Sequence, residues 1–236
     1  MSNPQEKNEL MQAGNSLSVD EYLAQLHADY DPVNSFLMNY QCAVMEVETK
    51  FNVLNNRLSL QDEHNPIESI KSRVKSLDSI IRKLEKLGLP IAIESVEENL
   101  FDVAGVRVIC SFVDDIYKIE ECFLAQEDVT LINRKDYIKH PKPSGYRSLH
   151  LIIKTPIYTE TGKKDIFVEV QMRTIAMDFW ASLEHKLRYK KNLNPTTAEA
   201  LAKDLEECAE VSARLDERML QIRDRIAEDG ATAADS

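Results

Sequence analysis

The segment IFVEVQMR, residues 166–173, alternates apolar and polar side chains with a period of two. This period is typical of a β-strand, in which successive side chains point to opposite faces of the sheet. The apolar positions share one face, and Glu169, Gln171 and Arg173 share the other. A carboxylate, an amide and a guanidinium are costly to bury in an apolar core. The segment therefore predicts a sheet with one face in the core and the other forming the floor of a site.

Helix and strand patterns follow one another in a mixed order along the rest of the chain. Apolar spacing predicts a helix over 33–58, and Asn65-Pro66 followed by Glu68 has the form of a second helix start. The pattern leaves open whether Arg73-Val74-Lys75 is helical or a short strand, and the next helix ends at Gly88. Further strands are predicted over 105–112, 129–137, 147–155 and 166–173, and helices over 114–126, 174–191 and about 196–227. This order predicts an α+β fold with a mixed, mostly antiparallel sheet flanked by helices.

The 236 residues are enough for one large domain with helical extensions. We expect a flexible N-terminal segment over 1–30, a catalytic domain over 31–195, and a C-terminal helix with a disordered tail over 196–236. No apolar run approaches the roughly 20 residues that span a bilayer, and the N-terminus lacks the apolar stretch of a signal peptide. The four cysteines lack CxxC spacing and suit a reducing compartment. These features predict a cytoplasmic protein without a membrane partner.

The charge of the chain is unevenly distributed. The net charge of −11 argues against a surface that coats nucleic acid, so we do not expect a nucleic-acid partner. Cations nevertheless cluster between Arg134 and Arg147 and again over 185–191. An acidic protein with local cationic clusters is better suited to binding small anions than polyanions.

Two carboxylates, far apart in sequence, fall on or beside strands of the same predicted sheet. Asp102 precedes the strand that contains Arg107, and Glu169 lies on the polar face of IFVEVQMR. Two such carboxylates can hold Mg²⁺, which takes one or two acidic ligands together with substrate phosphates. Simpler interpretations also exist, because Arg107 could pair with Glu169 and Asp102 could be a turn residue.

The segment KPSGYRSLH, residues 142–150, combines cations, an aromatic ring and a histidine at the start of a strand. Tyr146, held out by Ser144-Gly145, offers a face on which a base can stack. Arg and Lys can neutralise phosphate charge as it shifts during phosphoryl transfer. The sequence contains neither GxxxxGK[ST] nor GxGxxG, which disfavours P-loop and Rossmann chemistry. The residues therefore favour a metal-dependent transferase that acts on nucleotide phosphates.

Over roughly residues 35–225 the chain resembles the small alarmone synthetases, the single-domain members of the RelA/SpoT homologue family. The resemblance lies in HNPIESIKSRVKS, FDVAGVRVIC, KDYIKHPKPSGYRSLH, VEVQMRT and MDFWASLEHKLRYK. It implies a GTP/GDP pyrophosphokinase of the stringent response, which transfers the β,γ-pyrophosphate of ATP to the ribose 3′-hydroxyl of GDP or GTP and releases AMP. It also implies Mg²⁺ as cofactor and a homotetramer formed through the C-terminal helix. The hydrolase's HD motif is absent, so the implied activity is synthesis alone.

The same resemblance implies a role for each matching residue. Asp102 corresponds to the metal ligand, and Glu169 to the residue that contacts the metal and activates the 3′-hydroxyl. Tyr146 resembles the tyrosine that stacks on guanine, and Arg107 the arginine that stacks on adenine. The implied ATP-binding residues are Arg73, Lys75, Ser79, Lys83, Lys86 and Arg107. The implied residues for GDP or GTP are Lys135, Lys142, Ser144, Tyr146, His150, Gln171 and Glu184.

Two positions bear on regulation. In the RelQ-like branch an allosteric pppGpp cleft between protomers uses an aromatic residue after the NPIE-like motif and an asparagine before FWA. Here those positions are Ser69 and Asp178, and the sequences of the motifs are more similar to those of the RelP-like branch. We therefore expect no strong activation by pppGpp.

Three other functions are open to a chain with these features. Some toxic small relatives pyrophosphorylate the 3′ end of tRNA, although the negative net charge disfavours a tRNA substrate. A non-catalytic alarmone-binding or RNA-binding module would be favoured if Asp102 or Glu169 were missing, but both are present. A helical oligomerisation protein would leave the polar face of IFVEVQMR unexplained. The preferred acceptor among GMP, GDP and GTP is left open.

Overall fold

A computed structural model describes residues 19–60, 64–188 and 195–234, with side chains over 32–60, 64–188 and 197–229. The described residues divide into two compact units, with the division between Met38 and Asn39. In the described residues the helices are α1 (Val19–Leu58), α2 (Leu77–Leu87), α3 (Ile93–Asn99), α4 (Val113–Leu124), α5 (Ile175–Arg188) and α6 (Pro195–Ala234). The strands are β1 (Ile67–Val74), β2 (Ala104–Cys110), β3 (Thr130–Asp136), β4 (Leu149–Thr159) and β5 (Gly162–Thr174).

The five strands form one sheet in the order β1-β2-β5-β4-β3. The β2–β5 pair is parallel, and the other three pairs are antiparallel. The parallel pair is possible because α4, β3 and β4 lie between β2 and β5 in sequence and supply the long connection that parallel strands need. The prediction of a mixed, mostly antiparallel sheet flanked by helices is confirmed.

One face of the sheet is core, as the period of two in the sequence predicts. The fully buried apolar side chains of the two long strands are Leu149, Leu151, Ile153, Ile157, Val168, Val170 and Met172. Ser148 departs from the pattern, because alternation predicts that it faces outward whereas it is fully buried. Its hydroxyl donates to the carbonyl of Met172 at 3.1 Å, which satisfies the polar group away from water.

The helix start predicted at Asn65-Pro66 is wrong, because the segment that follows is strand β1. β1 pairs antiparallel with β2, with Arg73 opposite Gly105, and it ends at Val74. A helix cap contributes about 1 kcal/mol, so a whole ladder of strand pairing outweighs it. The carbonyl of Asn65 instead accepts from the Ser111 hydroxyl at 2.9 Å.

The helix that follows β1 begins at Leu77, with Ser76 as its N-cap. The Ser76 hydroxyl accepts from the backbone N–H of Ser79 at 3.4 Å. The helix ends as predicted, since Gly88 adopts the left-handed conformation at φ 68° and donates its N–H to the carbonyl of Glu85.

Other boundaries differ modestly from the sequence prediction. α1 begins at Val19 rather than near residue 33, and α6 continues to Ala234 rather than ending near 227. The short helix α3 was not predicted. Residues 1–18 of the expected N-terminal segment, and residues 189–194 around the end of the helix predicted over 174–191, lie outside the described residues. Among the residues that the structure does describe, no helix has both the length and the apolar character needed to cross a membrane.

Candidate active site

Strand register brings the polar residues into two rows on the face opposite the core. One row takes a residue from each strand, and its members are Lys71, Arg107, Gln171, His150 and Lys135. The second row, one step along the strands, places Arg73 opposite Gly105 and Gly105 opposite Glu169. Because neighbouring strands lie about 4.8 Å apart, the first row extends roughly 19 Å across the sheet. The sheet face therefore forms a long polar floor, as the alternation in β5 predicts.

Asp102, just before β2, binds two lysines. Its carboxylate accepts from Lys75 Nζ at 2.6 Å and from Lys83 Nζ at 2.6 Å, and Lys75 also donates to its carbonyl at 2.8 Å. Burial by itself would raise the pKa of Asp102, but the two ammonium groups outweigh burial and hold that pKa below its usual value. Lys75 follows β1 and Lys83 lies on α2, so three separate segments converge on one carboxylate.

Glu169, in the middle of β5, is held by its neighbours in the polar row. Gln171 Nε2 donates to Glu169 Oε2 at 3.0 Å, and His150 Nδ1 lies 3.6 Å from Oε1. Burial raises the pKa of Glu169 and nearby Asp102 adds to the rise, but His150 and Gln171 outweigh both and hold the pKa below its usual value. Glu169 is therefore ionised at neutral pH, and the effect of Asp102 on it means that the two carboxylates share one electrostatic environment.

Tyr146 is fixed at the edge of this floor by a ring of polar and aromatic contacts. Its hydroxyl lies 2.7 Å from His150 Nε2 and accepts from Arg173 Nη2 at 2.7 Å. The ammonium of Lys142 lies 4.8 Å from the centre of the Tyr146 ring. The preceding Gly145 has φ +81°, and a Cβ added there would lie 2.4 Å from the Cβ of Ala209 on α6. The loop therefore requires glycine both for its backbone conformation and for its close approach to α6.

Asp178, on the first turn of α5, contacts cationic side chains from three strands, β1, β2 and β5. It is buried, with an exposed fraction of 8%. Its Oδ1 accepts from Arg107 Nη1 and from Arg173 Nη1, each at 3.1 Å, and its Oδ2 lies 3.2 Å from Lys71 Nζ. The alternative that Arg107 pairs with Glu169 is therefore wrong, because its carboxylate partner is Asp178.

A pocket of about 140 Å³ opens at the β1–β2–β5 end of the floor. It is lined by Lys71, Ser72, Arg73, Gly105, Val106, Arg107, Glu169 and Gln171. The structure therefore brings Arg73 and Arg107, both predicted for ATP, to the same pocket as Glu169.

The remaining predicted residues lie around this centre. Ser79 and Lys86 are exposed on α2, and Lys135 is exposed on β3. Ser144 is half-buried in the loop before β4, and Glu184 is half-buried on α5. Sequence reasoning placed these five residues in the site on the resemblance. Lys135 belongs to the first polar row, and the other four lie on helices or in the loop before β4.

The carboxylates suit a metal that also binds the substrate. Nowhere in residues 32–60, 64–188 or 197–229 does a group of three or more potential His, Cys, Asp or Glu ligands converge as a metal cage. Asp102 and Glu169 offer two carboxylates, and Mg²⁺ usually takes one or two of these and completes its octahedron with water and phosphate oxygens. The two carboxylates therefore fit Mg²⁺ delivered with a nucleotide better than a permanent structural metal.

Sequence reasoning missed three residues of the site. Arg173 was placed on the polar face of β5 but given no role, Asp178 was considered for regulation alone, and Lys71 was not considered. A signal for Arg173 existed, because an arginine that alternates in phase with Glu169 must lie on the same face. No local signal could have joined Asp178 to Arg107, since 71 positions separate them along the chain.

Comparison with known proteins agrees with this geometry. Residues 72–194 match the family described as a region found in RelA / SpoT proteins. GTP pyrophosphokinase YwaC of Bacillus subtilis is 46% identical over 80% of this chain and 90% of that protein. GTP pyrophosphokinase YjbM of the same organism is 40% identical over 82% of this chain and 89% of that protein. The crystal structure of small alarmone synthetase 1 from Bacillus subtilis, bound to its product pppGpp, superposes with a TM-score of 0.74 at 39% identity and covers 83% of this chain and 98% of that one.

The fold defines the class as α+β proteins with a mixed five-stranded sheet flanked by helices. Within that class the chain belongs to the RelA/SpoT family, and it is of the single-domain, small alarmone synthetase type.

Proposed function

We propose that this chain is a (p)ppGpp synthetase, a GTP/GDP pyrophosphokinase without hydrolase activity. The observation that carries the proposal is the polar floor itself, in which Glu169 and nearby Asp102 lie between cations from β1 and α2 on one side and the Tyr146 loop on the other. The likeness to GTP pyrophosphokinases over four fifths of the chain supports the same reaction.

ATP would bind at the end of the floor formed by β1, β2 and α2. Lys75 and Lys83, which neutralise Asp102, carry the positive charge that a triphosphate needs. Arg107 is half-buried with its planar guanidinium held by Asp178, so it can stack on adenine. Arg73 lines the same pocket, and the exposed Ser79 and Lys86 extend the site along α2.

GDP or GTP would bind at the other end, over β4 and the KPSGYRSLH loop. Tyr146 offers its ring to guanine, and Lys142 lies against that ring with its ammonium free to reach phosphate. Lys135 and His150 face each other across the β3–β4 pair, so both are available to the acceptor's phosphates. Ser144, Gln171 and Glu184 complete the proposed acceptor set.

The proposed reaction joins these two ends at Glu169. The 3′-oxygen of the acceptor attacks the β-phosphorus of ATP, the bond from that phosphorus to the bridging oxygen of the α-phosphate breaks, and AMP leaves with the bond's electron pair. The pKa of Glu169 is lowered by His150 and Gln171 despite burial, so the carboxylate is charged at neutral pH and can accept the hydrogen bond and then the proton of the 3′-hydroxyl.

Mg²⁺ is the proposed cofactor, with Asp102 and Glu169 as its protein ligands. When bound it would neutralise the charge that develops on the transferred phosphates. Lys75 and Lys83, released from Asp102 to the triphosphate, would share that task.

We also infer a homotetramer in the cytoplasm. α5 and α6 present exposed apolar side chains, among them Ile175, Phe179, Val211, Leu215 and Met219. These residues line one groove of about 1070 Å³, and an exposed apolar surface of this kind is typical of a protein–protein interface. The four cysteines, all within the described residues, are free thiols, which suits a reducing compartment.

The decisive experiment incubates the purified protein and Mg²⁺ with ATP labelled at the γ-phosphate and, in turn, GMP, GDP, GTP or bulk tRNA. We expect label in a guanosine tetra- or pentaphosphate and equimolar AMP, with none in tRNA. Label in tRNA alone would replace the proposal by the toxin-type reaction, and binding without transfer would indicate a non-catalytic module. Light scattering of the same sample measures the oligomeric state.

A further inference from the structure

Two branches of polar contacts run from Arg173 toward Glu169, and the second is hydrogen-bonded throughout. In the first, Arg173 donates to the Tyr146 hydroxyl at 2.7 Å, and that hydroxyl lies 2.7 Å from His150 Nε2. In the second, Arg173 donates to Gln171 Oε1 at 2.8 Å, and Gln171 Nε2 donates to Glu169 at 3.0 Å. Arg173 is 4% exposed, so these contacts are made away from bulk water.

The chemistry of the guanidinium fixes the direction of the hydrogen bonds that it makes. Arginine has donors and no acceptor, so the Tyr146 oxygen accepts from Arg173, which leaves the Tyr146 hydrogen able to point to His150 Nε2. The other ring nitrogen of His150, Nδ1, lies 3.6 Å from Glu169 Oε1. The amide of Gln171 is oriented in the same way, with its oxygen toward Arg173 and its nitrogen toward Glu169. Arg173 thus holds the Tyr146 hydroxyl and orients the Gln171 N–H toward the proposed catalytic carboxylate.

Arg173 itself is held by Asp178, and the same carboxylate oxygen holds Arg107. Asp178 Oδ1 accepts from both guanidinium groups at 3.1 Å. The two cations are close enough that Arg173 adds to the effect of burial in lowering the pKa of Arg107. Without Asp178 two partly desolvated like charges would face each other, and each would be driven from its present position.

We propose that Asp178 is a positioning residue shared by both nucleotide subsites. Asp178 holds Arg107, which lines the pocket proposed for adenine. It also holds Arg173, which in turn holds Tyr146 and Gln171 on the side proposed for guanosine. This inference rests on the proposed function for the identity of the two ligands. Asp178 contacts neither substrate in this assignment, so its effect is exerted through the two arginines.

The test measures KM for ATP and for GDP, and kcat, in the wild type, Asp178→Asn and Asp165→Asn. Asparagine keeps the shape of Asp178 but can no longer neutralise two guanidinium groups, so we expect both KM values to rise about tenfold or more. Asp165→Asn is the matched control, because it removes a carboxylate from an exposed ion pair with Lys163 near the start of β5, the strand that carries Arg173 at its other end. Neither KM should change in the control.

A double-mutant cycle tests the route from Asp178 to the acceptor. Tyr146→Phe removes the hydroxyl that Arg173 holds and keeps the ring. If Asp178 acts on GDP through this hydroxyl, Asp178→Asn should raise KM for GDP by a smaller factor in the Tyr146→Phe background than in the wild type. Equal factors in the two backgrounds would overturn the guanosine half of the inference.

Three outcomes separate this inference from other failures. A folded Asp178→Asn protein with one or both KM values unchanged overturns the shared role. A lower Tm with unchanged KM values, after rates are normalised to folded protein, gives Asp178 a structural role alone and also overturns it. A wild type that binds GDP and ATP but makes no alarmone contradicts the proposed reaction; dissociation constants then replace KM in the same comparison and decide on Asp178 independently.

Discussion

The hydroxyl of Tyr146 lies 2.7 Å from Nε2 of His150, and the planes of the two rings are inclined at 81°. Four residues separate them along the chain, so the loop must turn back on β4 to bring them together. The Tyr146 ring also packs against the cluster of Trp180, Ala181 and Ala209, and Lys142 lies 4.8 Å from its centre. The proposed guanine platform is therefore held in place by the fold, and stacking of guanine on it requires the Lys142 side chain to move off the ring.

Tyr146→Ala removes the face on which guanine is proposed to stack. Stacking of a base on an aromatic side chain contributes about 1–3 kcal/mol, so KM for GDP should rise about 5-fold to 150-fold. KM for ATP should change little, because Tyr146 contacts His150 on β4, two strands away from Arg107 on β2. Initial rates at varied GDP and at varied ATP measure the two constants.

Tyr146→Phe is the control for this loss, since it removes the hydrogen bonds to His150 and Arg173 but keeps the ring. It should raise KM for GDP less than Tyr146→Ala does. An effect of Tyr146→Ala confined to ATP would assign the residue to the wrong subsite.

Glu169→Gln keeps the size of the side chain and removes its charge. Without the carboxylate there is no acceptor for the 3′-hydroxyl proton and one ligand fewer for Mg²⁺, so we expect no detectable synthesis with the fold intact. Product formation from labelled ATP and GDP, together with the Tm, checks both statements. Glu160→Gln, an exposed position near the tip of the β4–β5 hairpin, is the matched control and should retain wild-type turnover. Wild-type turnover in Glu169→Gln would rule out the proposed role.

The sequence predicts those parts of the fold that depend on interactions between residues close together in the chain, and it fails where distant segments pair. The alternation in β5 places its apolar residues in the core and its polar ones on the site floor, because the period of a strand is a local property. The start of α2 was misplaced because Asn65-Pro66 has the form of a cap, while pairing with β2, more than 30 residues away, makes the segment a strand. Ser148 was misplaced for a similar reason, since its buried partner is the carbonyl of Met172 on another strand.

The candidate site divides in the same way. Asp102, Glu169 and the Tyr146 loop were identified from their own segments and from the resemblance. The ion pairs of the site could not be identified in this way, because their members come together through the packing of separate elements. Lys83 with Asp102 and Arg107 with Asp178 are two examples. A sequence pattern identifies which side chains lie on a polar face, but the ion pairs on that face depend on the register between strands.

Gly145→Ala should disturb the acceptor loop through two separate effects. The left-handed backbone at φ +81° costs a side chain about 1–2 kcal/mol, and the added Cβ meets the Cβ of Ala209 at 2.4 Å. Overpacking of this kind adds about 1–3 kcal/mol to the loss in the free energy of unfolding. We expect a higher KM for GDP than for the wild type and a lower Tm, measured by initial rates and thermal denaturation.

Two variants separate the effects in Gly145→Ala. Gly88→Ala carries the backbone cost alone, because φ there is +68° and no atom lies within 4 Å of the added Cβ. It should lower the free energy of unfolding by about 1–2 kcal/mol and leave KM for GDP unchanged. Ala209→Gly combined with Gly145→Ala should recover part of the loss, and an absence of any recovery would mean that α6 does not restrain the loop.

Asp102→Asn should make stability less dependent on pH. The pKa of Asp102 is lowered in the folded protein, so its charge stabilises the fold above the ordinary aspartate pKa of about 3.9, and this contribution is lost as pH falls through the lowered value. The wild type should therefore be more stable than Asp102→Asn at pH 7, and the difference should shrink below about pH 4. Urea denaturation at a series of pH values measures it, and a difference that grows on acidification would contradict the assigned pairing with Lys75 and Lys83.

Added pppGpp should not activate this enzyme several-fold. Repulsion between the Asp178 carboxylate and a phosphorylated effector is not the reason, because that carboxylate is buried and neutralised by Lys71, Arg107 and Arg173. The same burial leaves Asp178 with no free group to offer an effector. Ser69, half-buried on β1, has no ring on which a second guanine could stack. The missing stacking contribution is about 1–3 kcal/mol, which is as large as a typical allosteric coupling free energy.

Initial rates at fixed ATP and GDP, with pppGpp titrated upward, measure this prediction. We expect a flat response or a decline, because the product can occupy the acceptor site but has no ring at Ser69 to hold it elsewhere. Ser69→Phe tests the reason directly, because it adds a ring on which a second guanine can stack. Activation by pppGpp should be stronger in that variant than in the wild type. A steep rise in the wild type would demonstrate a working effector cleft and place the chain closer to the RelQ-like branch.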